Sequence, residues 1–256
     1  MYKFLQNLSI TDIAGTSNIL PNLLHFLLTQ QNKMSFLRCM TQMYFYMSIT
    51  CCELYLLTVM AYDRYVAICD PFHYIHRMSK NHCDWLISAV YILGFLEPIG
   101  HIVLTSKLSY CNSHLIDHFF CDLIPLLKLS CSDTFNVEIL TYIVGTLLTF
   151  NSFLLTLISY IYIISTILKI QSTHGRQKAF STCASHLTCV IILYMTIFCL
   201  YVKPNTSYSL DRDKLFSLLY IVLVPLLNPL VYTMKNKQII FALNKLSQQV
   251  KPLSFR

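Results

Sequence analysis

The residues best equipped for chemistry stand where they are least expected. In "MAYDRYVAIC", residues 60–69, an apolar run closes on Asp63, Arg64 and Tyr65 in succession. An acid beside a guanidinium at a helix end can pair locally in one state and offer planar donors to a second protein in another, which is the chemistry of a switch. The same three residues also suit a plain interfacial charge anchor, which any membrane helix can carry. Other carboxylates interrupt apolar runs at Asp12, Glu53 and Glu97, the last followed by Pro98. A bare carboxylate in such a run is costly, so each must be neutral, hydrogen-bonded or turned to a wet cavity. No Walker loop, HExxH pattern or nucleophile with a triad accompanies them, so no catalytic residue, cofactor or metal site is expected and the chain does not read as an enzyme.

The elements that hold these residues are long and apolar. Of 256 residues, 55% are hydrophobic and 12% charged, about half the charge of a soluble domain. Six blocks, at about 4–28, 36–62, 85–105, 136–168, 179–202 and 215–234, each hold the ~20 residues a helix needs to cross a bilayer. The expected fold is an all-α membrane protein, one domain over residues 1–256, with six spans and a short amphipathic helix at about 236–250 on the inner leaflet. Block one is the most polar, with Asn7, Asp12, Asn18 and Asn22, and belongs inside a bundle. Pro98 should kink block three.

Lys and Arg concentrate on the side that carries Arg64, Arg77, Lys169, Arg176 and the tail, which places the C-terminus in the cytosol. The net charge of +7 follows from these flanking residues and needs no nucleic-acid partner. Of eleven cysteines, Cys39, Cys111, Cys121 and Cys131 fall on the opposite, oxidising face. Four such cysteines allow two disulfides in any of three pairings. A zinc site using His114 and His118 beside Cys121 is the competing reading, but the spacing fits no usual ligand pattern.

Taken together, "MAYDRYVAIC" at 60–69, "KAFSTCASHL" at 178–187, "PLLNPLVY" at 225–232, and "HFFCD" with "LSCSDT" within 118–134 resemble the olfactory (odorant) receptors, rhodopsin-like G-protein-coupled receptors. The resemblance runs from Met1 to about Lys237 and implies a rhodopsin-like helical bundle. "MYKFLQNLSITD" resembles the start of that family's second helix, so the six spans correspond to its second to seventh and the first is expected to be missing.

The resemblance assigns roles residue by residue. Asp63 would hold Arg64 at rest, and Arg64 with Tyr65 would face a G protein when active. Lys178, Ser181, Thr182, Ser185 and His186 match the sixth-helix signature that swings outward. Asn228, Pro229 and Tyr232 would form the pivot of the last helix. Asp12 and Glu53, with Asn228, would make a hydrogen-bonded or cation-holding polar core. Cys39 should pair with Cys121, and Cys111 with Cys131. Met43, Tyr46, Met47, Thr50 and Cys51 share one helix face, and the resemblance makes that face the ligand wall, closed by Val144, Leu148, Tyr194 and Tyr201. With no acid expected on that face of the outer half, the cavity would suit a small volatile organic molecule and not an amine.

The implied partners are an odorant, a stimulatory olfactory-type heterotrimeric G protein that raises cyclic AMP, and the lipid bilayer, at the plasma membrane of olfactory cilia. Two other readings stand beside this one. A truncated receptor retained in the endoplasmic reticulum would share the fold without signalling, and a six-helix transporter or channel would need a charged pathway of which only Asp12, Glu53 and Glu97 are present.

Overall fold

The computed structural model describes residues 2–29, 34–111, 116, 119–197, 217–233 and 245. Among these the chain is helical, with no strand. Helix α1 spans Tyr2–Thr29 and α2 Phe36–Cys69; a single tight turn at Pro71–His73 leads into α3, Tyr74–Arg77. Then come α4 (Lys80–Leu96), α5 (Ile99–Ser106), α6 (Leu123–Leu129), α7 (Phe135–Leu168) and α8 (Thr173–Ile197). A π-helical turn at Leu219–Leu223 runs into α9, Val224–Thr233.

Four stretches are long and apolar enough to cross a membrane: Phe36–Cys69, Lys80–Ser106, Phe135–Leu168 and Thr173–Ile197. Helix α1 does not reach that level of apolarity, as its run of polar side chains foretells. Apart from residue 245, the amphipathic tail expected at 236–250 lies outside the described residues, as do the last residues of the fifth apolar block and both ends of the sixth.

Helix α2 is the axis of the bundle. Of its most apolar stretch 56% is buried, against 22% for Lys80–Ser106 and for Phe135–Leu168, because α1, α4, α7 and α8 all pack on it. It begins at Ser35, whose Oγ accepts from the Arg38 N–H, the usual service of a serine at a helix start. From Phe36 to Arg64 it climbs about 42 Å, more than the ~30 Å hydrocarbon core. Helix α2 also continues past the expected end of its block at 62, to Cys69, so the Asp63–Arg64 pair lies within a helix and not at its last turn. Asp70, Pro71 and the following turn stop it.

The outer helices keep apolar faces bare. On α7, Ile143, Leu147, Phe150, Leu157 and Ile161 are exposed, as a lipid-facing surface requires. Helix α4 comes closest to α2 at Gly94, where an added Cβ would press into the Cys52 thiol and stand 3.1 Å from the Cys52 backbone nitrogen. A small residue at a helix crossing is how membrane helices approach.

Pro98 acts as expected. The helix that begins at Lys80 ends at Leu96 and restarts at Ile99, since proline brings no N–H to the ladder.

The two ends of the bundle are distinct. At one, Lys3 on α1 pairs with Asp84 on α4 at 2.6 Å, close in sequence to the Asp70–Arg77 turn. At the other, the structure joins Cys39 to Cys121 (Cα–Cα 5.3 Å) and Cys111 to Cys131 (5.9 Å). Gln42 braces the disulfide end: it exchanges side-chain and backbone hydrogen bonds with Asn18 of α1 at 2.9 and 3.0 Å, and its Oε1 accepts from the Cys121 N–H.

A ligand cavity, a polar core and a helix clamp

Between α2, the α4–α5 break, the start of α6 and the middle of α7 lies a cavity of about 120 Å³. The expected wall residues Tyr46, Met47, Thr50, Cys51, Val144 and Leu148 line it. Met43 does not: it is fully buried in an apolar cluster with Cys39, Cys121, Leu123 and Val137, directly under the disulfide. Tyr194 is also buried outside the lining, its ring 5.5 Å edge-on from Phe153. Tyr201 lies outside the described residues. Met195, the neighbour of Tyr194, is exposed on the outside of α8 and is not part of the cavity lining.

One expectation is corrected. The cavity wall does carry acids, because Glu97, His101 and Asp122 line it. The α2 face itself carries no acid at the cavity; these groups arrive from the proline break and from the loop before α6. Glu97 accepts from the Tyr55 hydroxyl at 3.1 Å. Asp122 caps α6 through the Leu123 N–H at 2.8 Å. His101 is 4% exposed, and its Nδ1 is buried with no hydrogen-bond partner among the described residues.

Thr50 connects this cavity to the interior. The Tyr220 hydroxyl stands 3.0 Å from Thr50 Oγ1 and donates to Glu53 Oε2 at 2.8 Å. Tyr220 comes from the π-helical turn just before Pro225, where the proline's missing N–H leaves the regular ladder short. Sequence reasoning did not single out Tyr220; the turn that aims it is invisible in residue spacing. Close to Glu53, Asn228 donates to Asp12 Oδ1 at 3.0 Å, and Asp12 Oδ2 is buried without a partner among the described residues. Asp12, Glu53 and Asn228 are thus brought into one buried cluster spanning α1, α2 and α9. Pro229 and Tyr232 sit on α9, their side chains outside the described set.

At the Arg64 end, His186 of α8 is fully buried and ties three helices. Its Nε2 meets the Leu57 carbonyl of α2 at 3.1 Å and its Nδ1 meets the Tyr160 hydroxyl of α7 at 2.7 Å. Asp63, also buried, accepts from the Tyr74 hydroxyl at 3.1 Å. Burial, followed by the nearby Asp63 charge, pushes the Tyr74 phenol up to about 12. Arg64 Nε is buried and without a partner among the described residues. Tyr65 packs edge-on against Tyr162 of α7, ring centroids 5.8 Å apart. Ser181 is exposed, and the side chains of Lys178, Thr182 and Ser185 lie outside the described set. In the adjoining turn, the His73 ring at 2.7 Å and Arg77 at 3.2 Å hold the Asp70 carboxyl below the usual carboxylate range.

The sequence profile of the olfactory receptor family matches residues 1–249. Among curated proteins, olfactory receptor 5AR1 of Mus musculus is 46% identical over 96% of this chain and 79% of its own length. Olfactory receptor 5AR1 of Homo sapiens is 45% identical over the same shares, and human olfactory receptor 8H1 is 45% identical over 97% of this chain and 80% of its own length. A helical bundle with apolar outer faces, disulfides at one end and a cavity beneath them is what a multi-pass membrane receptor of that kind requires. The chain belongs to the olfactory receptor family, G-protein-coupled receptors that are not enzymes.

Proposed function

We propose that the chain is an odorant receptor that takes a small volatile organic molecule into the cavity beside Tyr46, Met47, Thr50 and Cys51, and answers by engaging a stimulatory olfactory-type G protein that raises cyclic AMP. The apolar helices present would correspond to helices from the second to the seventh of the family. The disulfide end faces outward and the C-terminus lies in the cytosol, in the plasma membrane of olfactory cilia.

The observation that carries this reading is the double position of Thr50, which lines the cavity and touches the Tyr220 hydroxyl. A ligand that displaces the Thr50 side chain disturbs the Tyr220–Glu53 bond, and with it the seating of the last helix against α1 and α2. The proposed output lies at the far end. There the His186 clamp holds α8 against α2 and α7, and its release opens a groove beside Arg64. In that groove the guanidinium, half-buried at rest with its Nε enclosed, offers its fork of donors to the G protein.

Cells expressing the chain with an olfactory-type stimulatory G protein, stained for surface receptor and exposed to an odorant panel, test this. Arg64→Ala should abolish the cyclic AMP response at unchanged surface staining. A response that survives the substitution would remove Arg64 from the switch.

A further inference from the structure

Resting on the outer cavity as the odorant site, we propose that Glu97 and His101 form a subsite within it for the hydrogen-bond-donating end, O–H or N–H, of the ligand. The two residues are one helical turn apart, on either side of the break at Pro98, and both line the cavity.

Three other polar groups of the wall are already engaged. Thr50 donates to the Tyr46 carbonyl at 2.9 Å and Thr141 to the Val137 carbonyl at 2.7 Å. Asp122 is occupied at the start of α6. Glu97 receives the Tyr55 hydroxyl on Oε2, and a carboxylate has room for further donors on its two oxygens. His101 brings a buried Nδ1 that lacks a partner among the described residues. A ligand that satisfies such a group, reached by a turn of the enclosed ring toward the cavity, gains affinity from it. Much of the remaining wall, with Met47, Leu54, Val144, Leu148 and Ile197, is apolar and receives the ligand's hydrocarbon part, while Tyr142, Thr146 and Thr149 add hydroxyls along α7.

The chemistry selects among polar ends. A hydroxyl donates to Glu97 and accepts from the N–H tautomer of the imidazole. An ammonium or amine donates to Glu97 and to the imidazole's acceptor nitrogen. Ketones, aldehydes, esters and ethers only accept, and leave Glu97 unserved. The subsite therefore takes alcohols, phenols or amines ahead of isosteric acceptors, and the exclusion of amines expected from the α2 face alone is reversed.

The test uses the full chain in lipid nanodiscs, with its thermal midpoint followed against hexan-1-ol, hexan-1-amine, the isomeric methyl pentyl ether and heptane. The alcohol or the amine should raise the midpoint at concentrations roughly tenfold below those the ether or heptane requires, the value of one good hydrogen bond. Glu97→Gln separates the two donors: an amide oxygen still accepts from the alcohol, whereas the amine loses its counter-charge and weakens by at least about tenfold. His101→Phe should weaken both, and carries the test alone if Glu97→Gln fails to fold.

Equal shifts with alcohol, amine and ether, no shift with any of the four, or shifts untouched by both substitutions would overturn the subsite. Failure of the receptor reading looks different. A chain stabilised by hexan-1-ol that never raises cyclic AMP keeps the subsite and loses the signalling role. Conversely, responses confined to odorants without O–H or N–H, and blocked by Gly145→Leu, keep the cavity and reject the subsite. Gly145 suits that control because it lines the cavity and has open space around its missing Cβ.

Discussion

Single residues carry the sharpest consequences at the two ends of the bundle. His186 makes two hydrogen bonds to two other helices, each worth about 1 kcal/mol net. If the clamp holds the groove shut, His186→Phe should raise ligand-independent cyclic AMP on the order of tenfold, read as basal signal per surface receptor. An unchanged basal level would mean the clamp serves folding alone. Tyr160→Phe removes one of the two bonds and should give a smaller rise. In the interior, Asp12→Asn keeps an acceptor for Asn228 but removes the charge beside the unpartnered Oδ2. If Asp12 and Glu53 hold a cation between the helices, sodium chloride should raise the wild-type thermal midpoint more than choline chloride does. That difference should vanish in Asp12→Asn; equal effects of the two salts on the wild type would leave a purely hydrogen-bonded core.

At the level of elements, the ties at the disulfide end matter most. Cys39 and Cys121 are 82 residues apart in sequence, and closing a loop of that length restricts the unfolded chain by about 4.5 kcal/mol on the chain-entropy account. Cys121→Ser should therefore keep the receptor from the cell surface, measured by antibody staining of intact cells. Normal delivery would show that the Gln42 brace and the apolar cluster around Met43 suffice without the bond. The turn at the opposite end gives a dependence on pH. Asp70 is held below its ordinary carboxylate range chiefly by the His73 hydrogen bond, with Arg77 assisting. A depressed value means that the tie is fully present above the ordinary aspartate range near ~3.9 and is lost only as pH falls through the lower folded value. Hydrogen-exchange protection across residues 70–78 should accordingly persist to below that ordinary range, and Asp70→Asn should abolish the dependence. Most of this element structure was legible from residues alone. The long apolar blocks, the break at Pro98 and the polar character of α1 follow from composition along the chain. Glu97 was legible as a carboxylate in need of a partner or a wet cavity, but that it and Asp122 line the ligand cavity was not. Glu97 and Asp122 reach it from a kink and a loop, where no helical period predicts direction, and Tyr220 depends on a π-helical turn that leaves no mark in spacing.

Across the whole molecule, α2 is the part that every functional region shares. Its Thr50 faces the cavity, Glu53 the polar core, Leu57 the clamp and Arg64 the proposed G-protein groove, spread over fifteen residues of one helix. Close packing on this axis is therefore a condition for all four. Gly94→Leu would drive a side chain into Cys52 and the α2 backbone, and the expected result is loss of both surface delivery and ligand stabilisation, since neither helix can retreat without exposing buried polar groups.

The π-helical turn at Leu219–Leu223 is, in mechanical terms, a stored rotation. It holds one residue more than a regular helix would, just ahead of a proline. If that residue were released and the turn became α-helical, the helix on one side would screw by about 100° and slide by about 1.5 Å against the other. Tyr220 and Asn228 lie on opposite sides of most of that turn. Such a crank would withdraw the Tyr220 hydroxyl from Glu53 and Thr50 while leaving Asn228 on Asp12, so the upper and lower halves of the last helix would work as separately indexed parts of one shaft.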